Sequence, residues 1–259
     1  MQSIAVIKYG GHAMDHPELA ASFAKDMGAL AKHHTQCVLV HGGGPQIASL
    51  LARLGIESHF VNGLRVTDAQ TLEAVEMVLS GTVNKAVCAN LLKIGVQAVG
   101  LSGRDANMLV AKQADPSLGL VGTITQVHCE ILVHLLQAGF VPVVAPVAND
   151  EHCHPLNVNA DTAAGAVAGA LRAQHFILIS DVPGVLDQNG KRFDTLDFAA
   201  IEELKQSGVI TGGMIPKVQA CVAAIQAGAS RAIILDGRTP NSLRDALIND
   251  TISGTLITA

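Results

Sequence analysis

Several features that would indicate other classes of protein are scarce or missing from this chain. Tryptophan is absent, aromatic residues make up only 3% of the 259 residues and charged residues only 15%. The net charge of −5 comes without a basic block, which argues against a nucleic-acid surface or a polybasic membrane patch. No apolar run reaches spanning length, so we expect no membrane partner.

The five cysteines are scattered and form no C-x-x-C pair, which argues against a disulfide framework. Cys37 lies in a predicted strand, and Cys88 and Cys221 lie on predicted helices, so we expect buried thiols. The first three residues lead into a strand without a signal peptide. Together these features predict a cytoplasmic protein.

The common nucleotide-binding motifs are also missing. No G-x-G-x-x-G follows a predicted strand, which weakens a dinucleotide-binding interpretation. The nearest approach to a P-loop, Gly184 to Gly190-Lys191-Arg192, has the wrong spacing and lacks Ser or Thr after the lysine. Phosphate chemistry would therefore need another scaffold.

Strand and helix patterns alternate along the chain, which is 49% hydrophobic. This alternation predicts a three-layer α/β/α sandwich with a mostly parallel central sheet. A hairpin at 110–111 and 121–124 predicts an antiparallel insert on that sheet. Besides the first two strands, we predict strands at 98–101, 141–145, 176–180 and 232–235. Helices are predicted at 15–33, 46–54, 160–171, 198–206, 214–227 and 240–249, and after Thr67-Asp68.

Two of the predicted strands end in glycine turns just before a helix. The first carries Lys8, Gly10 and Gly11, and the second ends at Gly42-Gly43-Gly44. Glycine turns let backbone N–H groups approach an anion, and a helix N-terminus adds positive potential. Because parallel strands end at one edge of a sheet, the two turns converge there. The chain is predicted to bind phosphate.

Three further segments carry polar residues that would suit such a site. Lys217 lies in the first turn of a helix, where a cation opposes the helix dipole unless an anion lies between them. A solvated surface lysine is the alternative. Asn159 is a predicted cap and Asp161 a first-turn acid, while Asn157 remains available for a cleft. Arg65 follows a turn and suits a carboxylate, although a surface arginine is the ordinary expectation.

No metal site is predicted, because His152 and His154 lie in a polar loop without a second cluster of ligands.

These motifs, in this order, resemble the amino acid kinase family, and within it the members that phosphorylate N-acetyl-L-glutamate in arginine biosynthesis. The resemblance spans nearly the whole chain. Its matching segments are Ile7–Met14, Val40–Pro45, Asn62–Asp68, Asn157–Asp161, Ser180–Val185 and Gly212–Lys217.

The resemblance implies a single domain of two lobes. Residues 1–172 would bind N-acetyl-L-glutamate and form the dimer, and residues 173–259 would bind ATP, with Mg²⁺ held through the nucleotide phosphates. Phosphoryl transfer to the γ-carboxylate would give N-acetyl-L-glutamate 5-phosphate and ADP. Lys8 and Lys217 would stabilise the transferred group, and Asp161 would position both lysines.

The resemblance also assigns the remaining site residues. The N-acetyl-L-glutamate site would comprise Gly43, Gly44, Arg65 and Asn157. The nucleotide would be bordered by Gly10, Gly11, Asp181, Val182, Gly184, Val185, Leu186, Val209, Ile210 and Thr211.

The oligomeric state of the protein leaves two interpretations of one helix face. Arginine-inhibited members of the family carry an N-terminal helix that links dimers into hexamers. Ile4 already starts a strand here, so the resemblance implies a homodimer that arginine does not inhibit. The helix face formed by Leu72, Val75, Val78 and Leu79 is either the dimer interface or part of the core.

Two other functions remain open as alternatives: a kinase acting on another carboxylate or carbamate, and a non-catalytic nucleotide-binding regulator. A dehydrogenase is the weakest alternative.

Overall fold

The computed structural model describes residues 3–10, 14, 16–61 and 63–259. Its strands are β1 (Ile4–Tyr9), β2 (Gln36–His41), β3 (Phe60–Val61), β4 (Leu64–Arg65), β5 (Ala98–Ser102), β6 (Leu109–Gln113), β7 (Gly122–Val127), β8 (Val141–Ala145), β9 (Val147–Asn149), β10 (Pro155–Asn157), β11 (His175–Ser180), β12 (Thr195–Leu196), β13 (Ala232–Asp236) and β14 (Thr255–Ile257). Its α-helices are α1 (Pro17–Lys32), α2 (Gly44–Leu54), α3 (Ala69–Glu76), α4 (Asn84–Leu92), α5 (Glu130–Gln137), α6 (Ala160–Ala170), α7 (Phe198–Gln206), α8 (Met214–Gln226) and α9 (Ser242–Ile248). A π-helix, Met77–Val83, joins α3 to α4, and short 3₁₀ turns occupy Asp105–Asn107 and Pro116–Leu118.

Eight strands form the central sheet in the order β12-β14-β13-β11-β1-β2-β8-β5. The six strands from β13 to β5 are parallel, and β14 pairs antiparallel with β13. The predicted mostly parallel sheet is therefore confirmed. Because the parallel strands all end at the same edge, the loops after β1, β2 and β11 meet there.

Helices cover both faces of this sheet and complete the predicted three-layer sandwich. The side chains of β1 alternate between the two faces: Val6 packs with α6 and α8, whereas Ala5 and Ile7 pack with α1 and α2. Lys8 follows the same alternation and faces the α6–α8 side. Both faces of β1 are buried, so its side chains are apolar except where the strand reaches the edge.

The predicted hairpin lies elsewhere than expected. Strands β6 and β7 pair antiparallel, but they belong to a separate four-stranded sheet, β10-β9-β6-β7, and not to the central sheet. Strands β9 and β10 were not predicted, since three-residue strands carry too little periodicity to be recognised. Helix α5 was also missed, and the last helix begins at Ser242, after the predicted start at Pro240.

The face formed by Leu72, Val75, Val78 and Leu79 is part of the core. All four side chains are buried within the subunit, at 5% exposure or less. The interpretation of this face as a dimer interface is therefore wrong. The sequence pattern could not separate the two possibilities, since an apolar helical stripe suits a core and an interface equally.

Among the described residues, no helix is both long enough and apolar enough to cross a membrane.

Candidate active site

Three charged side chains from distant parts of the chain meet at the edge of the central sheet. Lys8 Nζ lies 2.9 Å from Asp161 Oδ1, and Lys217 Nζ donates a 3.0 Å hydrogen bond to Asp161 Oδ2. Lys8 comes from β1, Asp161 from the first turn of α6 and Lys217 from the first turn of α8. The structure thus brings together the three residues to which the family resemblance assigned catalytic roles.

The cluster carries a net positive charge in a poorly solvated place. The side chains of Lys8, Asp161 and Lys217 are 11%, 8% and 19% exposed. Burial by itself would raise the pKa of Asp161, but the ammonium groups of Lys8 and Lys217 outweigh it and lower that pKa. Asp161 is therefore ionised at neutral pH. Two ammonium groups around one carboxylate leave an excess positive charge for an anion.

The first turn of α6 holds Asp161 in place. Asn159 Oδ1 accepts hydrogen bonds from the backbone N–H groups of Asp161 (2.9 Å) and Thr162 (3.1 Å), as the sequence predicted. The capped helix directs Asp161 towards both lysines. Asn159 and Ala160 also line the cavity described below, so one helix start connects the charged cluster to that cavity.

The two glycine turns lie side by side, as predicted. Tyr9 and His41 are paired at the ends of β1 and β2, and Gly42 N–H donates a 2.8 Å hydrogen bond to Tyr9 O. Gly43 caps α2, whose first residue is Gly44. Gly10 directly follows β1. Gly11 lies outside the described residues.

A cavity of about 190 Å³ opens beside this second turn. Its lining includes all four residues predicted to bind N-acetyl-L-glutamate: Gly43, Gly44, Arg65 and Asn157. The hairpin β3–β4 supplies Arg65, β10 supplies Asn157, and α2 begins at Gly44. Residues far apart in the chain thus form one concave surface with backbone, amide and guanidinium donors.

Arg65 is buried, although an exposed position is the ordinary expectation for an arginine. It is only 7% exposed, and its guanidinium donates to Ser58 Oγ and to Gly44 O, the latter at 3.2 Å. The same group lies 4.6 Å from the ring centre of Phe60. Burial lowers the pKa of Arg65. A buried guanidinium at a cavity wall is typical of carboxylate recognition.

Asn157 is half-buried and donates a 3.0 Å hydrogen bond from Nδ2 to Thr67 Oγ1. Thr67 is fully buried and in turn donates to Arg65 O at 2.8 Å. Thr67 therefore connects the side chain of Asn157 to the backbone of Arg65, the two residues predicted to bind substrate through their side chains. Thr67 was considered in the sequence only as part of a helix cap.

Apart from Gly10 and Gly11, the residues predicted to border the nucleotide begin where β11 ends, next to β1 in the sheet. Asp181 is exposed at this edge, whereas the side chains of Val185 and Ile210 are 1% exposed and belong to the core. These two residues can offer a ligand only backbone atoms. Thr211 is exposed in the turn before α8, where its carbonyl accepts from Met214 N–H at 3.1 Å. Val182, Leu186 and Val209 are half-buried, and Gly184 is buried.

His152 and His154 lie outside this region in an exposed loop, beside Glu151 and Asp150 respectively. Across the described part of the chain, no three His, Cys, Asp or Glu side chains are grouped as metal ligands would be. One buried polar pair at the site was missed: His41 and Asn84 are both fully buried and lie next to the second glycine turn. Its signal was a histidine at the end of an otherwise apolar strand.

Comparison with known proteins agrees with this architecture. The model of the amino acid kinase family matches residues 3–236. The chain is 50% identical to the acetylglutamate kinase of Sphingopyxis alaskensis, over 97% of this chain and 88% of that protein. It is 48% identical to the acetylglutamate kinase of Dinoroseobacter shibae, over 98% and 89%. The crystal structure of smu.665 from Streptococcus mutans superposes with a TM-score of 0.85 at 30% identity, covering all of both chains.

The chain therefore belongs to the amino acid kinase family. It is an enzyme, a kinase, and its relatives at 46–50% identity are acetylglutamate kinases. The family resemblance found in the sequence is confirmed.

Proposed function

We propose that this kinase transfers the γ-phosphoryl group of ATP to the γ-carboxylate of N-acetyl-L-glutamate, giving N-acetyl-L-glutamate 5-phosphate and ADP. The observation that carries the proposal is the position of the Lys8–Asp161–Lys217 cluster beside a cavity that holds a buried arginine. The named activity of the relatives at 46–50% identity supports the same substrate.

In the reaction, one oxygen of the γ-carboxylate forms a bond to the γ-phosphorus of ATP. The bond from that phosphorus to the β,γ-bridging oxygen breaks, and ADP takes the electron pair. A carboxylate is ionised at pH 7, so no strong general base is needed. The site has to overcome repulsion between two anions, which calls for cations and oriented N–H groups.

Lys8 and Lys217 meet this requirement, each beside a different oxygen of the Asp161 carboxylate. Their ammonium groups would stabilise the charge on the phosphoryl group in transfer, while Asp161 holds both in position. The backbone N–H groups of Gly43 and Gly44 would add donors from the helix start. Gly10 and Gly11 would do the same from the first turn.

Arg65 and Asn157 would bind the amino-acid substrate. The guanidinium would pair with a substrate carboxylate, and the amide of Asn157 would hold a second polar group in the same cavity. Residues 1–172 would form this lobe, and residues 173–259 the nucleotide lobe, with residues 181–186 and 209–211 along the bound ATP.

Mg²⁺ is proposed to bind through the nucleotide phosphates. Both carboxylate oxygens of Asp161 already lie 2.9–3.0 Å from ammonium groups, which makes this residue a poor metal ligand. When bound, the ion would supply further positive charge to the phosphates. The protein residues would then need only to orient the nucleotide.

The test is ADP release in a coupled assay, with and without N-acetyl-L-glutamate. An acyl phosphate product reacts with hydroxylamine to give a hydroxamate, which separates transfer from ATP hydrolysis. N-acetyl-L-glutamine, which lacks the attacking carboxylate, is the matched control. Turnover with an aminoadipate derivative or with carbamate, but not with N-acetyl-L-glutamate, would reassign the substrate. Nucleotide binding without any turnover would indicate a regulator.

We further propose a homodimer. Strand β5 lies at the edge of the central sheet, and the residues just before it include Leu92 and Ile94, which are 48% and 41% exposed. Phe140, which is 37% exposed, precedes the neighbouring strand β8. An unpaired strand edge flanked by apolar side chains is typical of an interface between copies. Light scattering after size-exclusion chromatography would give the mass, and Ile94→Glu should shift it towards the monomer.

A further inference from the structure

We propose that His41 and Asn84 are positioning residues that fix the second glycine turn, so that the N–H groups of Gly43 and Gly44 face the reacting phosphoryl group. The inference rests on the proposed function, which makes the turn part of the phosphoryl-transfer site. It also rests on the hydrogen bonds of His41 and Asn84, which show how the turn is held.

The first step is the protonation of the His41 ring. His41 Nδ1 lies 2.8 Å from Gly42 O, and Nε2 lies 3.2 Å from Asn84 Nδ2. A carbonyl oxygen only accepts and an amide nitrogen only donates, so Nδ1 carries the proton and Nε2 accepts. Burial is the main cause that lowers the pKa of His41, to about 4, so the ring is neutral at physiological pH.

The second step is the orientation of the Asn84 amide. Its Oδ1 accepts from Lys85 Nζ at 3.1 Å, while its Nδ2 lies 2.8 Å from Val143 O and 3.2 Å from Leu101 O. The reversed amide would place Nδ2 against an ammonium group and Oδ1 against two carbonyl oxygens. Only one orientation of Asn84 therefore avoids these repulsive contacts, and its two Nδ2 hydrogens are then shared among Val143 O, Leu101 O and His41 Nε2.

The third step connects the pair to the turn. Gly42 is held at both ends, because its N–H donates to Tyr9 O and its carbonyl accepts from His41. In a planar trans peptide the C=O and the next N–H point in opposite directions. Fixing the Gly42 carbonyl towards His41 therefore directs the Gly43 N–H away from it. Gly42, Gly43 and Gly44 all line the cavity.

The π-helix supports the turn from the other side. A Cβ at Gly43 would lie 2.6 Å from Leu79 Cδ2 and 3.3 Å from Val83 Cγ2, so the turn packs directly on this segment. Asn84 is the residue that follows the π-helix. π-Helical segments recur at functional sites because the inserted residue redirects side chains. Here the segment brings apolar contacts to Gly43 and a donor to His41.

Strand β5 leaves room for Asn84. A Cβ at Gly100 would overlap Asn84 Oδ1 and lie 2.6 Å from Lys85 Nζ. Asn84 can therefore occupy its position only because Gly100 has no side chain. Gly100 lies in the edge strand and does not line the cavity, which makes it a remote position from which the turn can be disturbed.

Two substitutions of His41 separate positioning from stability. His41→Asn places an amide where the Nδ1–H stands and retains the bond to the Gly42 carbonyl. In His41→Gln the side-chain amide reaches the position of Nε2, retains the acceptor for Asn84 and loses the bond to Gly42. Each variant loses one buried hydrogen bond, so similar midpoints of thermal unfolding are expected for both.

Activity should separate the two variants. His41→Asn is expected to keep kcat within about threefold of wild type, and His41→Gln to lose roughly tenfold or more, the equivalent of one oriented hydrogen bond. The KM for ATP should change little in either variant. Equal kcat values for the two His41 variants, or losses that follow thermal stability alone, would overturn the proposal.

A measurement without substrate keeps this result distinct from the proposed function. Amide hydrogen exchange of residues 42–44 and 46 in the ligand-free protein should accelerate in His41→Gln and remain as in wild type in His41→Asn. If wild-type protein phosphorylates no acceptor, the proposed function fails while the exchange result still decides the positioning. Unchanged exchange in His41→Gln would refute the role of the pair.

Discussion

Lys8 Nζ lies 2.9 Å from Asp161 Oδ1, at the point where β1 ends against the first turn of α6. Lys217 reaches the other oxygen of the same carboxylate, so a single aspartate sets the separation and direction of two ammonium groups. A phosphoryl group in transfer carries its charge on several oxygens, and two cations fixed around it suit that distribution.

Replacing either lysine should reduce turnover strongly. Lys8→Ala and Lys217→Ala are each expected to lower kcat by about 10²–10³, because an oriented charge at the transferred group is removed. Steady-state kinetics with ATP and N-acetyl-L-glutamate is the measurement. Lys112→Ala, at an exposed position on β6, is the matched control and should behave as wild type. Turnover within a fewfold of wild type would remove that lysine from the mechanism.

Arg65→Lys should raise the KM for N-acetyl-L-glutamate while leaving the KM for ATP unchanged. Lysine keeps the charge but loses the planar fork that holds a carboxylate through two hydrogen bonds. Arg53→Lys, at an exposed position near the end of α2, controls for the substitution itself. A change confined to the KM for ATP would show that Arg65 acts on the nucleotide and not on N-acetyl-L-glutamate.

Asp161→Asn should reduce both activity and stability at neutral pH. Removing one partner of a buried ion pair costs about 3 kcal/mol, the lower end of the usual range because both lysines retain some exposure. The lowered pKa of Asp161 adds a pH dependence. Its ionisation stabilises the folded state above the unfolded-state pKa, and this contribution is lost as the pH falls through the lower folded-state pKa. Urea unfolding from pH 7 to pH 3 should therefore show the wild-type advantage shrinking with acidity.

Asp26→Asn should have the opposite effect on stability. Asp26 in α1 is 4% exposed and accepts a 3.3 Å hydrogen bond from Arg244 N–H, and its burial raises its pKa. Ionisation of this group therefore weakens the folded state as the pH rises above the unfolded-state pKa, up to the higher folded-state pKa. An amide keeps an acceptor for Arg244 without the cost of a buried charge. The expected result at pH 7 is a higher unfolding midpoint, with exposed Glu203→Gln as control. A lower midpoint would show that the charge itself stabilises α9.

Local patterns were sufficient for much of the fold. The apolar runs ending in glycine predicted β1 and β2, and the caps Asp68 and Asn159 predicted the starts of α3 and α6. The three-residue strands β9 and β10 and the π-helix were not predictable in this way. The two strands are too short for periodicity, and the surrounding sheet decides whether they form. The predicted helical pattern ran through Val78 and Leu79 without distinguishing the π-helix from an α-helix.

The sequence by itself determined the class of fold, the edge of the sheet at which the two glycine turns lie and the residue types placed there, because strand periodicity, glycine turns and helix caps act over short distances. Only the tertiary structure decided which residues meet. It buried Arg65 instead of exposing it, placed the Leu72–Leu79 face in the core, and joined His41 to Asn84 beneath the second glycine turn. These outcomes depend on the pairing of strands and the packing of helices far apart in the chain, which no local pattern records.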